Sequence, residues 1–152
     1  MVCLSDFLAT IADCLDVALK ENEGEDSVSN LPPLWTEERT EVRQDIVHQS
    51  IDGSLSIRKG KWKLEMCPGS GGWSYPKPGE EPEGAPHFQF YDLETDIGET
   101  QNVIAKYPET AVTLREILTG YIRSGRSTPG TKQKNNGQKV WETILWIDEK
   151  QG

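Results

Sequence analysis

Apolar residues early in the chain recur with a helical period. Leu4, Phe7, Leu8, Ile11, Leu15 and Ala18 fall at the i, i+3, i+4, i+7 spacing of one face, while Asp6, Asp13 and Asp16 fall elsewhere. This predicts an amphipathic helix with one buried side, opening at residue 4 or 5, with Ser5 or Asp6 available to cap its free N–H groups. Cys14, at the edge of the apolar face, is expected to be a small buried hydrophobe. Residues 21–33 then turn acidic and polar and close on Pro32-Pro33, which cannot continue a helix, so they read as a linker. Trp35 follows as the expected anchor onto the next unit.

From residue 45 the helical period is lost. Residues 45–50, 55–58 and 62–67 are short β-prone runs separated by Asp52-Gly53-Ser54 and Lys59-Gly60-Lys61, turn signals of hairpin length. A fourth strand is expected over 87–91, with Phe88 and Phe90 on one face and Gln89 on the other. Between strands three and four, 68–86 carries Gly69, Gly71, Gly72, Gly79 and Gly84 with Pro76, Pro78 and Pro82, and reads as a long irregular loop. Its Trp73 and Tyr75 have two readings: the rings stack on a sugar, or they fold back over the sheet, which is the commoner fate.

A second helix is expected from Pro108, a residue suited to the first helical turn, with Glu109 well placed for the helix dipole. Leu114, Ile117, Leu118, Tyr121 and Ile122 form its stripe, and Gly125 is a plausible stop. The expected class is therefore α+β: a four-stranded antiparallel sheet covered by a long C-terminal helix, preceded by a separate amphipathic helix. Beyond Arg126 the chain is polar through Gln138. Val140, Trp141, Ile144, Leu145 and Trp146 then return to helical spacing, a segment that packs on the same body or on another chain.

Composition limits the core. Of 152 residues only 35% are hydrophobic and 27% are charged, so a small core with long solvated loops is expected. Acidic residues outnumber basic ones by 25 to 16, and the net charge of -9 opposes nucleic acid and anionic membrane as partners. The basic residues are too scattered to outline an anion-binding pocket. Cys3, Cys14 and Cys67 lack CxxC spacing and are odd in number, which points neither to zinc nor to a closed disulfide framework. Neither a secretion signal nor a membrane span is visible in the sequence.

Catalytic chemistry finds little support. A nucleophilic triad needs a base beside its nucleophile, and the two histidines, His48 and His87, sit in no recognisable catalytic motif. Both are expected to be structural, His48 beside Ser50 in a strand and His87 at the opening of the fourth strand. Asp92, Glu94, Asp96 and Glu99 cluster in what reads as a solvated turn with helix-capping acids and not as a metal cage. The run 69–72 has no following Lys-Ser or Lys-Thr and is not a phosphate loop.

Several segments, in order, resemble one family. Leu55-Ser-Ile-Arg-Lys-Gly-Lys-Trp-Lys-Leu64 is similar to a sulfatase stretch in which an arginine, a glycine and a Trp-Lys pair form a hairpin. Phe90-Tyr-Asp-Leu-Glu-Thr-Asp96, continued by Glu99 and Asn102, resembles the turn before the last sulfatase helix, with Ile97 where a proline is common. Tyr107-Pro-Glu109 opens that helix as family members do, and Gly125-Arg-Ser-Thr-Pro-Gly130 looks like the segment that follows it. Leu4-Ser-Asp-Phe-Leu-Ala-Thr-Ile-Ala-Asp13 is similar to the closing helix of the sulfatase α/β domain, and 24–27 and 31–34 to the connection after it; lacking the sheet it covers in the family, that helix is expected to expose its apolar surface or find a substitute partner.

The resemblance implies a C-terminal region of a formylglycine-dependent (type I) sulfatase or arylsulfatase. It divides the chain into a remnant helix and linker of the catalytic domain over 1–36, a C-terminal subdomain over 37–126, and a polar tail with a short apolar end over 127–152. Family chemistry uses calcium and a formylglycine made from the cysteine of a Cys-x-Pro-x-Arg motif. Here the residues two places after Cys3, Cys14 and Cys67 are Ser5, Asp16 and Gly69, so the chain by itself is expected to lack that activity and both cofactors. The implied partners are a sulfatase catalytic domain and a sulfated sugar or aryl sulfate at its cleft. His48, Trp73 and Tyr75 are the implied substrate-binding residues, and the family is usually exported, periplasmic, secreted or lysosomal. A non-enzymatic carbohydrate-binding or interaction module is the competing reading.

Overall fold

A computed structural model describes residues 1–31, 42–134, 137 and 141–148. Pro32, Pro33, Trp35, Gln138 and Val140 lie outside the described residues. The chain divides into two compact units, one formed by Met1–Ile46 with Gly120–Asn136, the other by Val47–Thr119 with Gly137–Gly152.

In the first unit a single 3-10 turn, Leu4–Asp6, leads into helix α1, Phe7–Cys14. The helix is shorter than its periodicity suggests because Asp16 turns left-handed at φ 54° and ends it. Its apolar stripe is exposed, as expected of a helix without the sheet it would cover. The buried side carries Asp6 and Thr10, while Leu4, Phe7, Leu8, Ile11 and Leu15 are all more than half exposed. Cys14 is exposed as well. The reason lies in hydrogen bonding. Asp6 is only 1% exposed, yet its carboxylate accepts from Cys3 N–H at 2.9 Å, from Val28 N–H at 3.1 Å and from Arg43 Nη1 at 2.6 Å. Thr10 donates to the Asp6 carbonyl at 2.7 Å and accepts from Asn30 N–H at 3.0 Å. A buried carboxylate left without these donors would be far costlier than an exposed leucine, so the polar side faces inward.

The acidic stretch that follows is tied down too. Arg126 pairs with Glu21 at 3.1 Å, Ser127 N–H donates to Asp26 at 2.8 Å, and Thr128 N–H donates to the Glu25 carbonyl at 3.2 Å.

The sheet has strand order β1-β2-β3-β4, formed by Asp45–Gln49, Leu55–Lys59, Trp62–Glu65 and Gln89–Asp92. Strands β2, β3 and β4 pair antiparallel, with Ile57 opposite Leu64 and Leu64 opposite Phe90. Those three side chains therefore form one row across one face, and each is at most 1% exposed. Trp62 stacks on Phe90 with centroids 5.1 Å apart and tilts against Tyr107 at 4.8 Å. Helix α2, Pro108–Ser124, buries Ala111, Leu114 and Leu118, a stripe at helical spacing. The helix stops at Gly125, whose φ of 68° only glycine adopts cheaply and whose N–H bonds the Tyr121 carbonyl at 2.9 Å.

Two local expectations shift. Strand β4 begins at Gln89, so His87 and Phe88 precede it. Phe88 instead meets Trp146 edge-on at 6.4 Å. Trp146 belongs to the terminal 3-10 helix, Glu142–Ile147, and is buried with its carbonyl bonded by Arg115. The apolar end segment thus packs within its own unit.

Replacing Arg43 by Ala strands the Asp6 carboxylate and is expected to cost about 3–5 kcal/mol. Ile11→Ser, on the exposed side of the same helix, should change stability by less than about 0.5 kcal/mol. Urea unfolding followed by circular dichroism would check both.

Candidate functional site: a pinned aromatic loop

The loop between β3 and β4 hangs from the outer face of the sheet, the one opposite the Ile57–Leu64–Phe90 row. There Gln89 donates through Nε2 to the carbonyls of Cys67 at 2.9 Å and Gly69 at 2.7 Å, and Tyr91 O–H donates to Gln89 Oε1 at 2.5 Å. Strand β4 thereby holds the start of the loop. The next seven residues close on themselves: Ser70 N–H donates to the Pro76 carbonyl at 2.9 Å and its hydroxyl to the Ser74 carbonyl at 2.7 Å. Gly69 must be glycine, since a Cβ there would stand 2.8 Å from the Pro76 carbonyl oxygen. Gly71 is equally constrained, at φ 62° with Ser50 Oγ 2.8 Å from any added Cβ. Asp52 N–H adds a bond to the Gly71 carbonyl at 3.3 Å. The loop is thus seated on the β1–β2 turn.

From this base Trp73 and Tyr75 project outward, 82% and 77% exposed. The rings do not fold back over the sheet. Ile51, on the turn beneath, is 68% exposed and lies against Gly72. Sequence reasoning missed Ile51; its signal was an isoleucine directly before the Asp52-Gly53 turn. His48 is exposed on β1, two residues before Ser50.

Behind the loop the outer face of the sheet is charged. Lys63 Nζ lies 2.7 Å from Glu65 and 2.7 Å from Glu99. Burial opposes the Lys63 charge, but hydrogen bonds to Glu65 and Glu99 outweigh it and hold the ammonium above its ordinary range. Glu65 is pushed up chiefly by burial. Tyr91 is pushed up to about 12 by burial and by the Glu65 charge. Cys67, with its thiol against the Gly69 carbonyl at 3.2 Å, is pushed up to about 11 by burial, then by the charges of Glu65 and Asp52. A nucleophilic cysteine needs the opposite shift, so Cys67 is structural here.

The acids of the turn after β4 are also accounted for. Asp92 and Glu94 pair with Lys61 at 2.9 and 3.3 Å, and Asp96 accepts from Thr100 N–H and Gln101 N–H, both at 2.8 Å. Among the described residues no group of three His, Cys, Asp or Glu could hold a metal ion. No cysteine of the sequence has proline two places on.

The fold and this loop define the class: an α+β sheet-and-helix unit that displays aromatic rings at one end. No family model matches the sequence. Over 116 residues, however, the chain is 33% identical to the N-acetylgalactosamine-6-O-sulfatase of Bacteroides thetaiotaomicron, covering 74% of this chain and 22% of that protein. A solved chain from the metabolism of multiple glycosaminoglycans by Bacteroides thetaiotaomicron superposes with a TM-score of 0.57 at 30% identity, over 76% of this chain and 24% of that one. A 2-O GAG sulfatase shares the fold at TM-score 0.53 and 22% identity, over 77% and 24% of the two chains. The chain is a sulfatase homologue, and its span and fold are consistent with a C-terminal sulfatase region. It spans about a quarter of the length of these relatives.

The raised thiol and phenol carry a pH signature. The folded chain holds the Cys67 proton more tightly than the unfolded chain, where the thiol titrates near 9.0, so this stabilisation is intact below pH 9 and is lost as pH rises toward 11. Denaturant midpoints should therefore fall between those pH values, and Cys67→Ala should flatten the decline. A slope unchanged by that substitution would assign the effect elsewhere.

Proposed function

We propose that this chain is a non-catalytic C-terminal portion of a sulfatase, completing the fold of a catalytic domain and shaping its substrate cleft. The observation that carries the reading is the exposed apolar stripe of helix α1. Val2, Leu4, Phe7, Leu8, Ile11, Leu15 and Val17 are seven large apolar residues, each more than half exposed at one end of the chain. Exposed apolar residues clustered in this way mark interaction surfaces. The occupant proposed for this one is the upstream sulfatase polypeptide, the roughly three quarters of the relatives' length that lies outside the match. Asp13, Asp16 and the net charge of -9 disfavour an anionic membrane in its place.

His48, Trp73 and Tyr75 are the proposed substrate-facing residues, and the substrate class carried over from the relative's name is a sulfated amino sugar. A further neighbour of the same fold, at TM-score 0.54 and 19% identity, is described in complex with its substrate D-glucosamine-2-N,6-O-disulfate. Calcium and formylglycine would be supplied by the catalytic domain.

Mixing this chain with the catalytic segment of the Bacteroides N-acetylgalactosamine-6-O-sulfatase should give a 1:1 complex by sedimentation, weakened at least about tenfold by Ile11→Asp. The free chain with calcium should not turn over an aryl sulfate. Turnover by the free chain, or a complex indifferent to Ile11→Asp, would overturn the reading.

A further inference from the structure

We infer that Trp73 and Tyr75, with Ile51 beside them, take the uncharged face of a sugar ring and leave the sulfate to other parts of the cleft; this rests on the sulfatase reading and deepens it. Three observations converge. Both aromatic rings stand more than three quarters exposed on a loop whose base is closed by Ser70, Ser74 and Pro76, so the backbone that carries them is ordered before binding. Pyranose C–H faces stack on such rings, which offer large apolar area with few rotatable bonds.

The charge around the platform has the wrong sign for sulfate. Residues 68–86 contain one cation, Lys77, against Glu80, Glu81 and Glu83, and Asp52 lies in the turn beneath. Glu81 Oε1 is 3.0 Å from where a Gly69 Cβ would be, which places that carboxylate at the base of the loop. Carboxylates accept hydrogen bonds from sugar hydroxyls and repel a sulfate oxygen. Finally, Ile51, 68% exposed and against Gly72, adds apolar surface at the foot of the loop.

The full chain would be titrated with an unsulfated N-acetylgalactosamine-containing oligosaccharide and with its 6-O-sulfated counterpart, using ligand-observed NMR at low and high salt. Both should bind, with affinities within about threefold of each other and little salt dependence. Trp73→Ala and Tyr75→Ala should each weaken both ligands by about tenfold, the size expected for losing one stacked ring. Circular dichroism should be unchanged, because neither ring is packed. Binding of the sulfated form alone, weakening with salt, would overturn this inference while leaving the sulfatase reading intact. Absence of binding by either ligand, or a protein partner seated on the loop, would overturn it as well. Loss of the helix α1 complex is a separate result and bears only on the proposed function.

Discussion

The row Ile57–Leu64–Phe90 is the constraint on which the second unit depends. The antiparallel register sets these residues opposite one another, and burial of all three gives the sheet one dry face. Because strand side chains alternate, drying that face sends Lys63, Glu65, Gln89 and Tyr91 to the other. Gln89 is then free to bond the backbone of 67–69, and the aromatic loop hangs from that bond. A core decision on one face thus sets the geometry of the aromatic loop on the opposite one.

In the first unit the deciding group is a charge. Asp6 takes three donors from three separate stretches of chain, Cys3, Val28 and Arg43, and so fastens the helix by its polar side. An ion pair this buried adds little net stability, because desolvation offsets most of its attraction, but it fixes orientation strongly. The apolar stripe of α1 is left outward in consequence, available to a larger body. Both proposed functional surfaces therefore arise as the far sides of internally satisfied elements.

Much of the architecture was legible in the residues. Short β-prone runs and the Asp52-Gly53 and Lys59-Gly60 turns located the strands to within two residues, and Gly125 marked the end of α2 because its left-handed φ excludes most side chains. The aromatic loop was visible as a Gly- and Pro-rich stretch, but whether its rings were displayed or buried was not. That depended on Ser50 and Gly71 meeting across 21 positions of sequence, a contact with no periodic signature. Helix α1 was legible in a different way: an apolar stripe at helical spacing specifies that a partner surface is needed, not that this chain supplies it, and the stripe is exposed here.

By itself, then, the amino-acid order determined local conformation: where the chain extends, where it coils, where glycine permits a reversal, and that no cysteine has the neighbour formylglycine formation needs. Those properties act over a few bonds. Only the tertiary structure decided which face of α1 is inward, which rings stand in solvent and which carboxylates share Lys63, because each outcome turns on how distant polar groups satisfy one another once water is removed.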